Sequence, residues 1–184
     1  LRAFLRQSPD IILVGEIRRK REAEVLFEAI HTGHSVYATV HANDAYEVVT
    51  RLTNAPIEIP KLMLPAISMI IVQYRNRRTG ARKTFQIAEI LPNAEPNVLI
   101  QLDIKANKFR KVSESKALMK TIELFTGLTR NEIKRALIDK ENVLKWLVKN
   151  NINTVDGVGR VMAEYYTDKE NLMSHVKKNK MLEA

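Results

Sequence analysis

Apolar residues gather into short runs in the first half of the chain and spread to helical spacing in the second. Leu1, Phe4 and Leu5 line one face of a short helical piece that Pro9 stops. "IILV" (Ile11 to Val14) is a continuous apolar run, as a parallel strand covered on both faces carries. "REAEVLFEAIHTG" follows, with Ala23, Leu26, Ala29 and Ile30 at helical spacing and Gly33 at the C-terminal cap. "SVYATV" (Ser35 to Val40) predicts a second buried strand. "NDAYEVVTRLTN" opens on an Asn/Asp cap and carries Ala45, Val48, Val49 and Leu52 on one face. Strand-helix-strand-helix implies a parallel sheet with right-handed crossovers.

The pattern then changes. "AISMIIVQY", starting at Ala66, and "KTFQIAEIL" predict strands joined by "RNRRTGAR", whose Thr-Gly supports a turn. "NVLIQLDI" and "KFRKV" predict a further hairpin around Lys105 to Asn107. From about Ser113 the chain reads as helical. "ESKALMKTIELFTG" carries Leu118, Ile122 and Phe125, and Gly127 stops it. The next segment starts on a Thr-x-x-Glu pattern one residue out of step with a capping box. Its apolar stripe is Ile133, Leu137, Leu144 and Leu147, and a break into two short helices is expected near Asp139 to Asn142. "TVDGVGRVMAEYY" and "DKENLMSHVKKN" supply two more helices, and "KKNK" reads as a frayed tail. The domains expected are 1–112, α/β with antiparallel additions, and 113–184, helical.

Charge narrows the partners. With 30 Lys+Arg against 21 Asp+Glu the formal net charge is +9, which favours anionic partners. The absence of cysteine excludes a disulfide framework and a thiolate zinc site. No apolar run approaches the ~18 residues of a spanning helix. The chain starts at Leu1, and its true start is expected upstream.

Candidate chemistry sits at the ends of the two parallel strands. Glu16 stands just past the first, where ligands of open α/β sheets bind, and a carboxylate there can orient a magnesium-bound or attacking water. It could instead pair with Arg18 or Arg19. His34 precedes the second strand and His41 follows it. A strand of about six residues spans roughly 20 Å, so the two histidines belong to opposite ends of the sheet or to different subunit contacts, and a shared metal is disfavoured. None of the six glycines stands in G-x-x-x-x-G-K-[ST]. "DGVGRV" (Asp156 to Val161) follows no strand and is discounted.

Taken together, "LRQSPDIILVGEIR", "REAEVLFEAIHTGHSVYATVHAN" and the following Arg51-Leu52 closely resemble the secretion-superfamily ATPases. These are the hexameric motors of type II secretion, type IV pili, type IV secretion and the archaeal flagellum. Leu5 to Leu52 matches their Walker B motif and histidine box. The remainder resembles the archaeal branch more loosely. The resemblance implies an α/β fold: the C-terminal part of a RecA-like P-loop ATPase core, followed by an all-helical C-terminal domain. It implies ATP and Mg2+ as cofactors. Glu16 corresponds to the Walker B glutamate, acting on magnesium through water or on the attacking water. His34 and His41 correspond to the histidine box, one contacting the γ-phosphate and the other supporting the subunit interface or the site. The sheet geometry assigns the phosphate side to His41. Arg18 would either fix Glu16 by an ion pair or reach a neighbouring subunit's nucleotide. The family commonly has Asp where Arg19 stands here, and its Walker A loop would lie upstream.

The resulting expectation is an ATP-driven motor for secretion or for assembly of a pilus- or archaellum-type filament. It would form a hexameric ring with copies of itself, acting on a membrane platform protein at the inner face of the cell membrane. The 184 residues alone would be inactive. A nucleic-acid-translocating relative is the rival, favoured by charge and by "RNRRTGARK" but lacking a recognition motif. A scaffold that has lost the phosphate loop is a third possibility, disfavoured by the intact motifs.

Overall fold

A computed structural model describes residues 9–182 of the chain. The helical reading of Leu1 to Gln7 lies outside the described residues. The chain forms two compact units, Leu1–Thr121 and Ile122–Ala184.

The first unit opens with strand β1 (Ile11–Val14), helix α1 (Lys20–His31), strand β2 (Ser35–Ala38) and helix α2 (Ala45–Thr53). β1 and β2 pair in parallel, with Ile11 opposite Ser35 and Val14 opposite Ala38. The turn from α1 into β2 is a Schellman motif: the His34 N–H reaches the Ala29 carbonyl and the Gly33 N–H that of Ile30, both at 3.1 Å. Gly33 takes φ +88°, which an L side chain would strain against. Ile12 and Val14 pack with Ala23, Leu26 and Phe27 of α1 in one core.

The expectation that β1 and β2 are covered on both faces is corrected. β1 alternates, with Ile11 and Leu13 58% and 77% exposed, and Tyr37 of β2 is 63% exposed. Buried Ile12 and Val14 of β1 and half-buried Val36 of β2 face the core that α1 lines, while the alternate positions point away from it. β2 also ends at Ala38 rather than Val40.

A cis Ala55–Pro56 bond and a 3₁₀ turn (Lys61–Ala66) lead into an antiparallel meander. Its strands are β3 (Ile70–Arg75), β4 (Arg82–Ile90), β5 (Pro96–Asp103) and β6 (Lys108–Lys111), in the order 3-4-5-6. β3 starts later than the apolar run suggests. Pro65 has no N–H for a ladder, and the Ile67 N–H closes the turn onto Leu64 at 2.9 Å. One face of the meander packs on α2. Buried Gln86 of β4 accepts the Ala45 N–H at 3.1 Å, satisfying an otherwise orphan donor at the start of α2, and donates to Gln101 at 3.3 Å.

The fully buried side chain of Glu89, on β4, organises the segment that follows the sheet. Its carboxylate accepts the N–H groups of Lys116 (2.7 Å), Ala117 (3.1 Å) and Leu118 (2.8 Å), the Ser115 hydroxyl (2.8 Å) and the Asn97 amide (2.7 Å). Helix α3 (Leu118–Thr126) therefore begins at Leu118 and not at Glu114, because the preceding N–H groups are turned onto this acid.

In the second unit, α4 (Arg130–Lys149), α5 (Val155–Thr167) and α6 (Lys169–Lys178) surround a core of Val143, Trp146, Leu147, Val161, Tyr165 and Leu172. Four sequence expectations are corrected. α4 runs unbroken through Asp139 to Asn142, since no Gly or Pro interrupts it and a Glu141–Lys145 pair at 2.7 Å ties the expected break to the following turn. Its capping box is in step: Thr129 and Glu132 each accept the other's backbone N–H. Leu137 and Leu144 of the expected stripe are exposed, and Val143 and Trp146 take their place in the core. Lys177 and Lys178 lie in the last turn of α6, where cations favour the helix C-terminus, and not in a frayed tail.

Candidate functional site

Two segments leave the carboxyl end of the β1–β2 pair side by side. Gly15, Glu16 and Ile17 follow β1, and Thr39, Val40 and His41 follow β2. Their pairing outlasts the strands. The Ile17 N–H donates to the Thr39 carbonyl at 2.9 Å, and the Thr39 hydroxyl donates to the Gly15 carbonyl. Ile17 is buried and Val40 packs on the same core. Each anchors the residue beside it, Glu16 and His41, at the rim.

There the side chains meet. The Glu16 carboxylate lies 2.5 Å from the Arg18 guanidinium and 3.2 Å from His41 Nε2. Its side chain is 22% exposed, while those of Arg18 and His41 are open to solvent. The hydrogen bond from Arg18 outweighs partial desolvation and holds the Glu16 carboxyl below the usual carboxylate range; the charges of Arg18 and His41 act in the same direction. Glu16 is thus an ionised acceptor at neutral pH.

The backbone below this pair is braced from α1. The Glu22 carboxylate accepts the N–H groups of Arg18 (2.7 Å) and Arg19 (3.1 Å), bonds that keep its own pKa low. Arg19 stands where an acid is common in the resembled motif, and Glu22 brings a carboxylate to the same turn. On the other side, Asp44 caps α2 by accepting the Glu47 N–H at 2.7 Å. Glu47 in turn accepts two bonds from Asn43, at 2.7 and 2.8 Å, and pairs with Arg51 at 2.7 Å. The loop carrying His41 is therefore fixed to α2, and α2 to the meander through Gln86.

His34 is elsewhere. It lies at the amino end of β2, with Nδ1 3.0 Å from the Thr32 hydroxyl and 3.2 Å from the Ala29 carbonyl, inside the C-terminal cap of α1. The fold brings together Glu16, His41 and Arg18 and leaves His34 at the opposite end of the strand pair. Sequence reasoning passed over Glu22, Thr39 and Glu47, and read Asn43 only as part of the α2 cap. Glu22 and Glu47 each stand three residues past a helix-start residue, a capping spacing that could have revealed them. Nothing in the sequence singles out the hydroxyl of Thr39.

Chemically, the site offers one ionised carboxylate, one imidazole and one guanidinium on an open rim. Among the described residues no cluster of three or more His, Asp or Glu is placed to hold a metal. A lone carboxylate does suit magnesium, which binds through one or two carboxylates and keeps several waters beside substrate phosphates.

A model of the family described as type II/IV secretion system protein matches residues 1–144. The chain belongs to this family. Among its relatives, an uncharacterized protein of Methanocaldococcus jannaschii is 34% identical over 169 residues, 88% of this chain and 62% of that protein. The type IV pilus assembly ATPase PilB of Thermus thermophilus is 57% identical over 58 residues, 32% of this chain and 6% of that protein. The type II secretion system protein E of Pseudomonas aeruginosa is 44% identical over 73 residues, covering 40% and 14% of the two chains. The chain thus spans less than two thirds of the length of these relatives. Among the described residues no helix is long and apolar enough to cross a membrane.

Proposed function

We propose that the whole protein is an ATP-hydrolysing motor of a secretion or pilus-type filament machine, and that Glu16 is the acid working on magnesium and water. The observation that carries this reading is the ionised Glu16 carboxylate held between Arg18 and His41 where the parallel strands end. Family membership and the relatives named as pilus assembly ATPases support it. Glu16 would hold magnesium through water, and the ion would supply charge neutralisation on the phosphates.

The low pKa of Glu16 shapes its role. A carboxylate stabilised by a guanidinium at 2.5 Å is a weak proton acceptor, so Glu16 orients water rather than removing a proton while Arg18 is in place. His41, open to solvent on the same rim, is the residue on the phosphate side. His34 supports the site from the far end of β2 through the α1 cap. Six such chains in a ring, acting on a membrane platform protein at the inner face of the cell membrane, complete the reading. The part of the chain beyond Leu52 resembles the archaeal branch, with its archaellum motors, on sequence pattern. The 184 residues alone neither grip ATP nor turn it over, because no glycine in them stands in a phosphate-loop pattern.

The decisive experiment is steady-state ATP hydrolysis by the whole protein and its Glu16→Gln variant. Turnover is expected to fall about a hundredfold or more, with nucleotide binding retained. Unchanged turnover in the variant would remove Glu16 from the chemistry.

A further inference from the structure

One end of the antiparallel meander is crowded with cations that the ATPase reading does not use. The β3–β4 turn and the β5–β6 turn project at the same end, because β4 and β5 pair with Gln86 opposite Gln101. A hydrogen bond from Lys83 to Asn107 ties the two turns together. Arg75, Arg77, Arg78, Arg82, Lys105 and Lys108 are all exposed there. The acid at this rim, Asp103, is already committed, accepting the Ala106 N–H at 2.9 Å and pairing with Arg110.

Three features separate this rim from an ordinary solvated surface. Arg75 and Arg82 stand directly opposite each other on the last rung of β3 and β4, a like-charge pairing that destabilises a sheet unless an anion lies between. The turn that carries Arg77 and Arg78 is built, not loose. Asn76 accepts the N–H groups of Arg78 (2.9 Å) and Thr79 (3.1 Å), and Gly80 closes the turn onto the Asn76 carbonyl at 2.8 Å with φ +73°. Cations on an edge strand guard against stray pairing, which accounts for Lys108 on β6 but not for arginines in a turn.

Exposed apolar side chains share the rim: Ile104 in the β5–β6 turn and Phe109 on β6, 48% and 58% exposed. Cations interleaved with exposed apolar side chains match an anionic lipid surface, where charge meets headgroups and apolar groups enter the interface. A nucleic-acid strand is the poorer fit. It calls for a groove or a row of outward aromatic rings, whereas Phe109 is a single outward ring and Tyr74 and Phe85 turn toward each other, with ring centroids 6.3 Å apart. We infer that the paired turns 76–81 and 104–107 form a docking rim for anionic lipid headgroups. The inference is independent of Glu16 and its chemistry.

The test is sedimentation of the chain with vesicles of phosphatidylcholine alone and with phosphatidylglycerol mixed in, beside a duplex DNA arm. Binding to the anionic vesicles alone is expected, weakening as salt shortens the screening length. The Arg77→Ser/Arg78→Ser variant should bind about 10- to 30-fold more weakly. Neither of those side chains makes a hydrogen bond or ion pair among the described residues, so the fold should persist, and an unchanged circular-dichroism melt checks that. Equal binding to neutral vesicles, equal binding by the variant, binding to DNA without vesicles, or no binding to either would each overturn the inference.

Discussion

Two glutamates with opposite surroundings define this chain at the residue scale. Glu16 is half-open, held by an arginine and a histidine at a rim. Glu89 is fully buried and held by hydrogen-bond donors, three of them backbone N–H groups. For Glu89, desolvation pushes the pKa up, but the bonds from Lys116, Leu118, Asn97 and Ser115 overcome it and lower the value from an ordinary 4.5 to about 2. A folded-state pKa below the unfolded one means that the unfolded chain binds the extra proton. The contribution is therefore complete above about pH 4.5 and is lost as pH falls toward about 2. It amounts to about 3 kcal/mol at neutral pH. Glu89→Gln should cost roughly 2–4 kcal/mol at neutral pH, since an amide NH2 would face a ring of donors. Urea unfolding across the acid range would show the wild-type stability slope between those pH values flattened in the variant. Glu16 was legible in the sequence because a carboxylate closing an apolar run has a chemical meaning there. Glu89 was not: within "FQIAEIL" it looks like any acid on the solvent face of a strand, and apart from Asn97 its partners lie more than two dozen residues away.

Elements were legible where local chemistry decides them. Gly33, Asp44 and Thr154 each mark a helix end that the structure shows capped. Errors arose where a distant group decides, as at the start of α3, or where a local rule was applied too readily, as in the break expected within α4. The Thr129 capping box is the local signal that fixes the start of α4. Thr129→Ala should lower stability by about 1 kcal/mol, read as a shift of the denaturation midpoint with unchanged cooperativity. The burial of β1 was misread for another reason. A continuous apolar run says that both faces can be covered, not that both are, and in the described chain Ile11 and Leu13 face outward.

On the scale of the whole molecule, composition gave the sign of the charge but not its placement. Only the register of β3, β4 and β5 gathers the arginines of one loop and the lysines of another onto a single edge. The chain passes from one compact unit to the other inside α3, between Thr121 and Ile122. The shift from alternating to helical pattern falls earlier, at about Val112, because the irregular segment that follows β6 is tied back to Glu89. This bears on how the polypeptide can be shortened. A version ending at Val112 strips Glu89 of every donor except the Asn97 amide, and strands a naked anion in the heart of the meander. A version carried on to Thr121 retains them all. The longer piece should express as a soluble species with a sharp melting transition, and the shorter one should collect in inclusion bodies.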